Sequence, residues 1–391
     1  MHRLTLAATA LAAIALTATM TTANAAPAPE PSGRIILIQS APAQPGVTAV
    51  KDTYIVELKQ GLKLKSSLGI SPQRTFSTAV NGFSAKLTGA QLATLQQNPD
   101  VVAISQDIRY RAIDATQTNP PSWGIDRIDQ RNLPLSNSFT YNNTGSGVNA
   151  YIIDSGIDAS HPNFGGRATF DYNAIDSNNT DCLGHGTHVA GTIGSTSYGV
   201  AKATRLHGVK WLDCNGSGTA SAAIAAVDWV TQHAVKPAVA NTSWNYPANT
   251  TLETSLRNMI RSGVFLATSA GNTSGNSCNL LPRKIETALV TAASDRNDAR
   301  ASYSSTGSCV DVYAPGSAII STLPGNTTGS YNGTSMATPH VAGVAALYLQ
   351  ANPSATPATV KSYIETNATP NKVSGGTTGG TVNRLLFSNG L

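Results

Sequence analysis

The chain has 391 residues, of which 12% are charged and 34 are glycine, which suits a large core and not a disordered protein. Its net charge of +5 misleads: residues 1–114 hold 10 of the 26 Lys/Arg and 6 of the 21 Asp/Glu, leaving 16 and 15 for residues 115–391. That near balance excludes a nucleic-acid binder held by charge.

In chain order, His2 and Arg3 precede an apolar run from Leu4 to about Met20, followed by Ala23-Asn24-Ala25. This is the pattern of a secretory signal peptide over 1–25, cleaved after Ala25. No later segment approaches 18 uninterrupted apolar residues, so an exported protein with no membrane partner is expected. Residues 26–50, rich in Pro, Ala and Gln, read as a linker. Thr53–Leu58 and Val80–Leu87 then alternate like strands, Thr88–Gln97 reads as a capped helix, and Val101–Ile104 as a third strand. These predict a small α+β domain of ferredoxin-like organisation over 51–114.

Beyond Ala115, apolar strand runs alternate with helical spacing. Strands are predicted at Val148–Asp154, Val239–Ser243 and Val264–Ala270, and helices at His185–Ile193, Thr219–His233, Leu252–Ser262 and Ser335–Gln350. The alternation predicts an α/β fold, a doubly wound and mainly parallel sheet with its site at the carboxyl edge of the strands. Pro339 is expected early in the last helix, where a lost N–H costs little. Four cysteines in an exported chain imply two bridges, with three connectivities open. None has a close Cys or His partner at finger spacing except by accident, which disfavours a metal site.

Three stretches carry chemistry. Asn332–Gly343 places Ser335 at the start of an apolar helix, where free N–H groups favour developing negative charge. Asp154 closes an apolar strand, and His185 lies in Leu-Gly-His-Gly-Thr-His-Val-Ala-Gly. A serine needs a base to take its proton, and that base needs an orienting carboxylate.

GTSMATPHVAG, GHGTHVAG and IIDSGID, in the order Asp, His, Ser, resemble the three active-site blocks of the subtilisin superfamily of serine proteases. The segment WGIDRIDQRNLPLSNSF is similar to the proteinase K branch, and to its aqualysin type in particular. The resemblance implies a secreted endopeptidase made as a self-processing precursor, with residues 51–114 as inhibitory propeptide and 115–391 as peptidase domain. It implies Asp154, His185 and Ser335 as the triad and Asn272 as an oxyanion donor; His188 is then structural, as are His161, His207, His233 and His340. Peptide substrates would add as a strand between Gly216-Ser217-Gly218 and Ser243-Trp244-Asn245. Asn245 and Tyr246 stand where relatives have glycine, so both should narrow the pocket rim, and Trp244 should add an apolar wall. The floor, Thr268-Ser269-Ala270-Gly271, offers no charge, which predicts an apolar or aromatic residue before the scissile bond. Asp114, just before the expected junction, fits that pocket poorly.

The same resemblance pairs Cys182 with Cys214 and Cys278 with Cys309. It implies structural Ca²⁺ at two places, one formed by Asp126, Asp129, Gln130, Ser136 and Ser138, the other by Asp311 with the carbonyls of Glu286 and Ala288. The only protein partners implied are substrates and the chain's own propeptide, so a monomer is expected. Two rival readings are weaker. A catalytically dead homologue acting as a binding protein would have a replaced triad member. An esterase would carry Gly-x-Ser-x-Gly, where this chain has Gly333-Thr-Ser335-Met-Ala337.

Overall fold

The computed structural model describes residues 35–40, 47–63, 68–110 and 115–391; the expected signal peptide and Asp114 lie outside them. The chain divides into two compact units at Arg111/Ala112.

In the first unit, strands β1 (Ile38–Gln39), β2 (Val47–Leu58), β3 (Arg74–Phe76), β4 (Gly82–Lys86) and β5 (Val101–Tyr110) form one sheet in the order β1-β5-β2-β4-β3. Helix α1 (Gly89–Gln96) starts at a capping box: Thr88 accepts from the Gln91 N–H while the Gln91 side chain accepts from that of Thr88. Alternate residues of the strands, with Leu95 of the helix, bury Val56, Phe83, Ala85 and Ile104. The linker reading of 26–50 is corrected here, because Ile38 and Gln39 pair with Ile104 and Ser105, and β2 already begins at Val47. Composition hid this: the open edge of β5 supplies the backbone partners, and Ile36 beside it is buried at 8% exposure.

The second unit opens with β6 (Ala115–Thr118), α2 (Trp123–Ile128) and β7 (Ser138–Tyr141), with β6 and β7 paired antiparallel. There follow β8 (Asn149–Asp154), β9 (Ala168–Asn173), α3 (His185–Gly194), β10 (Arg205–Lys210), α4 (Ala220–His233), β11 (Ala238–Thr242), α5 (Thr250–Arg261) and β12 (Val264–Ser269). The chain continues through β13 (Leu289–Ser294), β14 (Val312–Pro315), the hairpin β15 (Ile319–Leu323) and β16 (Thr327–Tyr331), α6 (Thr334–Ala351), α7 (Pro357–Asn367), β17 (Thr369–Pro370) and β18 (Arg384–Leu385). Nine strands form one sheet, ordered β17-β18-β14-β13-β12-β11-β8-β10-β9 and parallel except at β17/β18. Every residue of β8, β11, β12 and β13 is buried, as expected of parallel strands covered on both faces.

Two cores follow from this layering. One joins α3 and α6 to the sheet through Val189, Ile193, Val341 and Val344. The other joins α4 and α5 through Ala226, Val230, Leu256 and Met259. Chain order reverses at β8, whose neighbours are β10 and β11, and at such a switch point the strand ends leave a crevice.

Pro339 sits deeper in α6 than expected. It is the sixth helical residue, so its missing N–H leaves the Ser335 carbonyl without its helical donor. The Ser243 hydroxyl donates to that carbonyl instead, at 3.1 Å.

Candidate active site

Asp154 ends β8, His185 opens α3, and Ser335 is the second residue of α6. Asp154 is fully buried; its Oδ1 accepts from His185 Nδ1 at 2.7 Å and from the Ser155 N–H at 2.8 Å. Burial pushes the His185 pKa down, but the Asp154 charge, the hydrogen bond to it and the Asp181 charge outweigh that, and the net shift is upward. The imidazole is thus held with Nδ1 toward Asp154 and Nε2 left for a substrate-side proton. The Ser335 hydroxyl donates to the Ser243 carbonyl at 3.0 Å, and among the described residues no hydrogen bond joins it to His185. With the bond from Ser243 Oγ, the two serines form a reciprocal pair between the residue after β11 and α6.

Asn272 lies three residues beyond β12. Its Oδ1 accepts from the Thr334 N–H and hydroxyl, both at 2.9 Å, and the Thr334 hydroxyl accepts from the Gly271 N–H at 2.9 Å. These bonds fix the amide with Nδ2 free, on the side where Gly333 leaves room.

A cleft of about 480 Å³ runs beside His185, lined by Gly216, Ser217 and Gly218 on one side and Ser243, Trp244, Asn245 and Tyr246 on the other. A Cβ on Gly218 would fall 2.5 Å from the Trp211 carbonyl, so only glycine fits there. Trp244 lines the cleft with its ring mostly buried. It is 6% exposed, its Nε1 donates to the Ile153 carbonyl at 2.8 Å, and its ring meets Trp211 edge-on at 4.7 Å. Asn245 is exposed and Tyr246 half-buried. Of the residues expected to form the floor, Ala270 and Gly271 are buried and do not line this cleft, and the Arg283 guanidinium lies against Gly271.

Sequence reasoning missed Asp181. It is 2% exposed and accepts from the Ser155 hydroxyl, from the N–H groups of Leu183, Gly184 and Thr187, and from the Thr187 hydroxyl. An acid four residues before His185 is the available signal, one that accepts from the N–H groups at the start of the helix His185 opens. His188 and His340 are buried, and burial pushes both pKa values down to about 4. His188 stacks on Tyr331 and bonds the Ile319 carbonyl, which gives it a packing place.

The structure joins Cys182 to Cys214 and Cys278 to Cys309. It brings the first group of calcium candidates together. Asp126 accepts from Ser136 N–H and hydroxyl, Gln130 Oε1 also accepts from the Ser136 N–H, and the Ser136 and Ser138 hydroxyls are 2.8 Å apart. Asp129 Oδ1 is buried with no partner, and burial, with the Asp126 charge adding, pushes that carboxyl up to about 7. An all-oxygen loop with an orphaned buried carboxylate oxygen fits a hard cation. The second group does not fit. Lys361 Nζ donates to the carbonyls of Glu286 (2.8 Å) and Ala288 (2.7 Å) and to Asp311 Oδ2 (2.9 Å), so an ammonium fills the position a calcium ion would need. That calcium expectation is corrected.

Residues 145–388 match the Subtilase family and residues 63–112 the Peptidase inhibitor I9 family. The chain belongs to the subtilase family. It is 45% identical to an extracellular serine proteinase of Thermus sp. (strain Rt41A), over 87% of this chain and 86% of that one. It is 43% identical to alkaline serine exoprotease A of Vibrio alginolyticus, over 88% and 68%. A crystal structure of a cold adapted subtilisin-like serine proteinase superposes with a TM-score of 0.66 at 47% identity, covering 68% of this chain and 97% of that one. The protein is a secreted, self-processing serine endopeptidase with an inhibitory domain of its own. Among the described residues no helix is long and apolar enough to cross a membrane.

Proposed function

We propose that Ser335 is the nucleophile, His185 the general base and then acid, and Asp154 the carboxylate that holds the imidazole. A peptide enters extended between residues 216–218 and 243–245. Ser335 Oγ turns from the Ser243 carbonyl to the scissile carbonyl as His185 Nε2 takes its proton. The acyl-enzyme forms, His185 protonates the leaving amine, and water completes the hydrolysis. Asn272 Nδ2 and the Ser335 N–H receive the oxyanion, in an orientation that Thr334 holds before substrate arrives. The observation that carries this reading is the 2.7 Å bond between buried Asp154 and His185 at the strand edge that also bears Ser243 and Asn272.

Trp211, Leu212 and Trp244 give the cleft apolar walls that suit bulky groups further along the acyl side. The precursor is cut near Asp114–Ala115. Subtilases generally bind structural calcium, and the ligands here are Asp126, Asp129, Gln130, Ser136 and Ser138. A fluorophosphonate should label Ser335, and Ser335→Ala should abolish proteolysis and leave the precursor whole. An alanine variant that still processes itself at the normal rate would remove the assignment.

A further inference from the structure

Arg283 has no part in the triad or in any role read from the sequence. It follows Pro282 in a segment tied to the cleft rim, where Tyr246 and Leu281 exchange backbone hydrogen bonds of 3.0 and 2.9 Å. The residues that depart from glycine at the rim and the segment bearing Arg283 therefore form one bridged unit. The arginine is only 2% exposed. Its Nε donates to the Ser269 carbonyl at 2.7 Å, and a Cβ on Gly271 would fall 2.6–2.8 Å from Nη2, Cζ and Nη1. Gly271, at φ +99°, is thus held to glycine by its backbone and by the guanidinium against it. The guanidinium thus packs on the residue before Asn272, in the stretch expected from the sequence to form the pocket floor.

Among the described residues no carboxylate pairs with this cation, and its Nη2 is buried without a hydrogen-bond partner. Burial pushes its pKa down to about 10, which still leaves it protonated near neutral pH. A buried cation lacking a counter-charge is costly, and an anion that arrives with substrate offsets that cost. An aromatic or aliphatic group in the same place would leave Nη2 unpaired, and a lysine or arginine would be repelled.

We propose that Arg283 makes the pocket for the residue before the scissile bond selective for an acidic side chain, whose carboxylate pairs with the free Nη2 edge. The proposal rests on the site assignment above and replaces the apolar preference expected from an uncharged floor. It also accounts for Asp114. The chain's own residue before the expected junction is an acid, misplaced in an apolar pocket and suited to this one.

The test uses the mature enzyme on peptides that differ only at the position before the cleaved bond, carrying Glu, Asp, Gln, Phe, Leu, Ala or Lys. The active fraction is counted by fluorophosphonate labelling. Wild type should cut Glu or Asp peptides with kcat/KM about tenfold or more above Gln and Phe, because a site built around a polar group rejects substrates that leave it unpaired. Arg283→Ala and Arg283→Gln should lose that ratio while cutting Leu or Phe at least as well as wild type. Wild type favouring Phe or Leu would overturn the proposal, as would variants that keep the acid preference. A preference for Ala would also overturn it, showing that the guanidinium merely fills the pocket. If a variant gives no labelled protein, the wild-type profile decides alone. Failure of wild type to label or to cut any peptide would strike the triad assignment instead, a different result from active enzyme without acid preference.

Discussion

Asp181 shows how one buried carboxylate can tune a base it does not touch. Its charge adds to that of Asp154 in raising the His185 pKa, and its hydrogen bonds hold the first turn of α3. A raised histidine pKa means that the folded protein favours the protonated ring. That contribution to stability is present below the ordinary histidine range and is lost as pH rises through the folded value. With His185 as the proposed base, catalysis needs the neutral ring, so the acidic limb of kcat/KM should lie above an ordinary histidine's. Asp181→Asn should move that limb to lower pH, which a pH–rate profile on one peptide would measure; a loss of rate with an unmoved limb would make Asp181 purely structural. The proposed triad was legible because three long motifs carry it. Asp181 and Arg283 were not, since a lone Asp before a cysteine and a Pro-Arg-Lys triplet look like surface loop until the chain folds them inward.

At the scale of elements, α7 is held to the sheet by an ion rather than by packing alone. Lys361 reaches the ends of segments flanking β13 and β14, and Asp311 Oδ2 also accepts from the Val290 N–H at 2.8 Å. Burial pushes the Asp311 pKa up and Lys361 opposes it. Removing one partner of such a pair costs about 3–5 kcal/mol, because the other charge is left buried. Lys361→Ala should therefore lower the melting temperature by on the order of 10 °C, and Lys361→Ala/Asp311→Asn should recover part of it. Equal and additive losses in calorimetry would show that the pair does not couple. Helix α7 and strands β10, β13 and β14 escaped the sequence reading, which recovered β8, α3, α4, β11, α5, β12 and α6 to within a few residues. The missed strands are 4 to 6 residues long; β13 and β14 are buried throughout, which leaves no alternation to detect, and β10 is interrupted by Gly208 and polar at Arg205, His207 and Lys210. Pro339 is a subtler case. Its place in the helix was visible, but the hydroxyl that donates to the freed carbonyl belongs to Ser243, just after β11 and 92 residues away.

For the peptidase unit as a whole, stability is divided between cores buried within the chain and one loop suited to an ion from solution. Chelation should lower the melting temperature while leaving the initial rate unchanged, because the Asp126–Ser138 loop bears none of the proposed catalytic residues. A cation at a hundredfold excess over its Kd adds about 2.7 kcal/mol, or roughly 5–10 °C for a domain of this size. An unchanged melting curve in chelator, read by calorimetry, would dismiss the site. The Lys361 ammonium behaves differently from such an ion. It is tethered by its own side chain, so it cannot diffuse away, and its local concentration is set by covalent geometry and not by the medium. The corner of the sheet at Asp311 therefore keeps its counter-charge in soft water and in hard, and a secreted enzyme so built has one fewer dependence on the surroundings into which it is released.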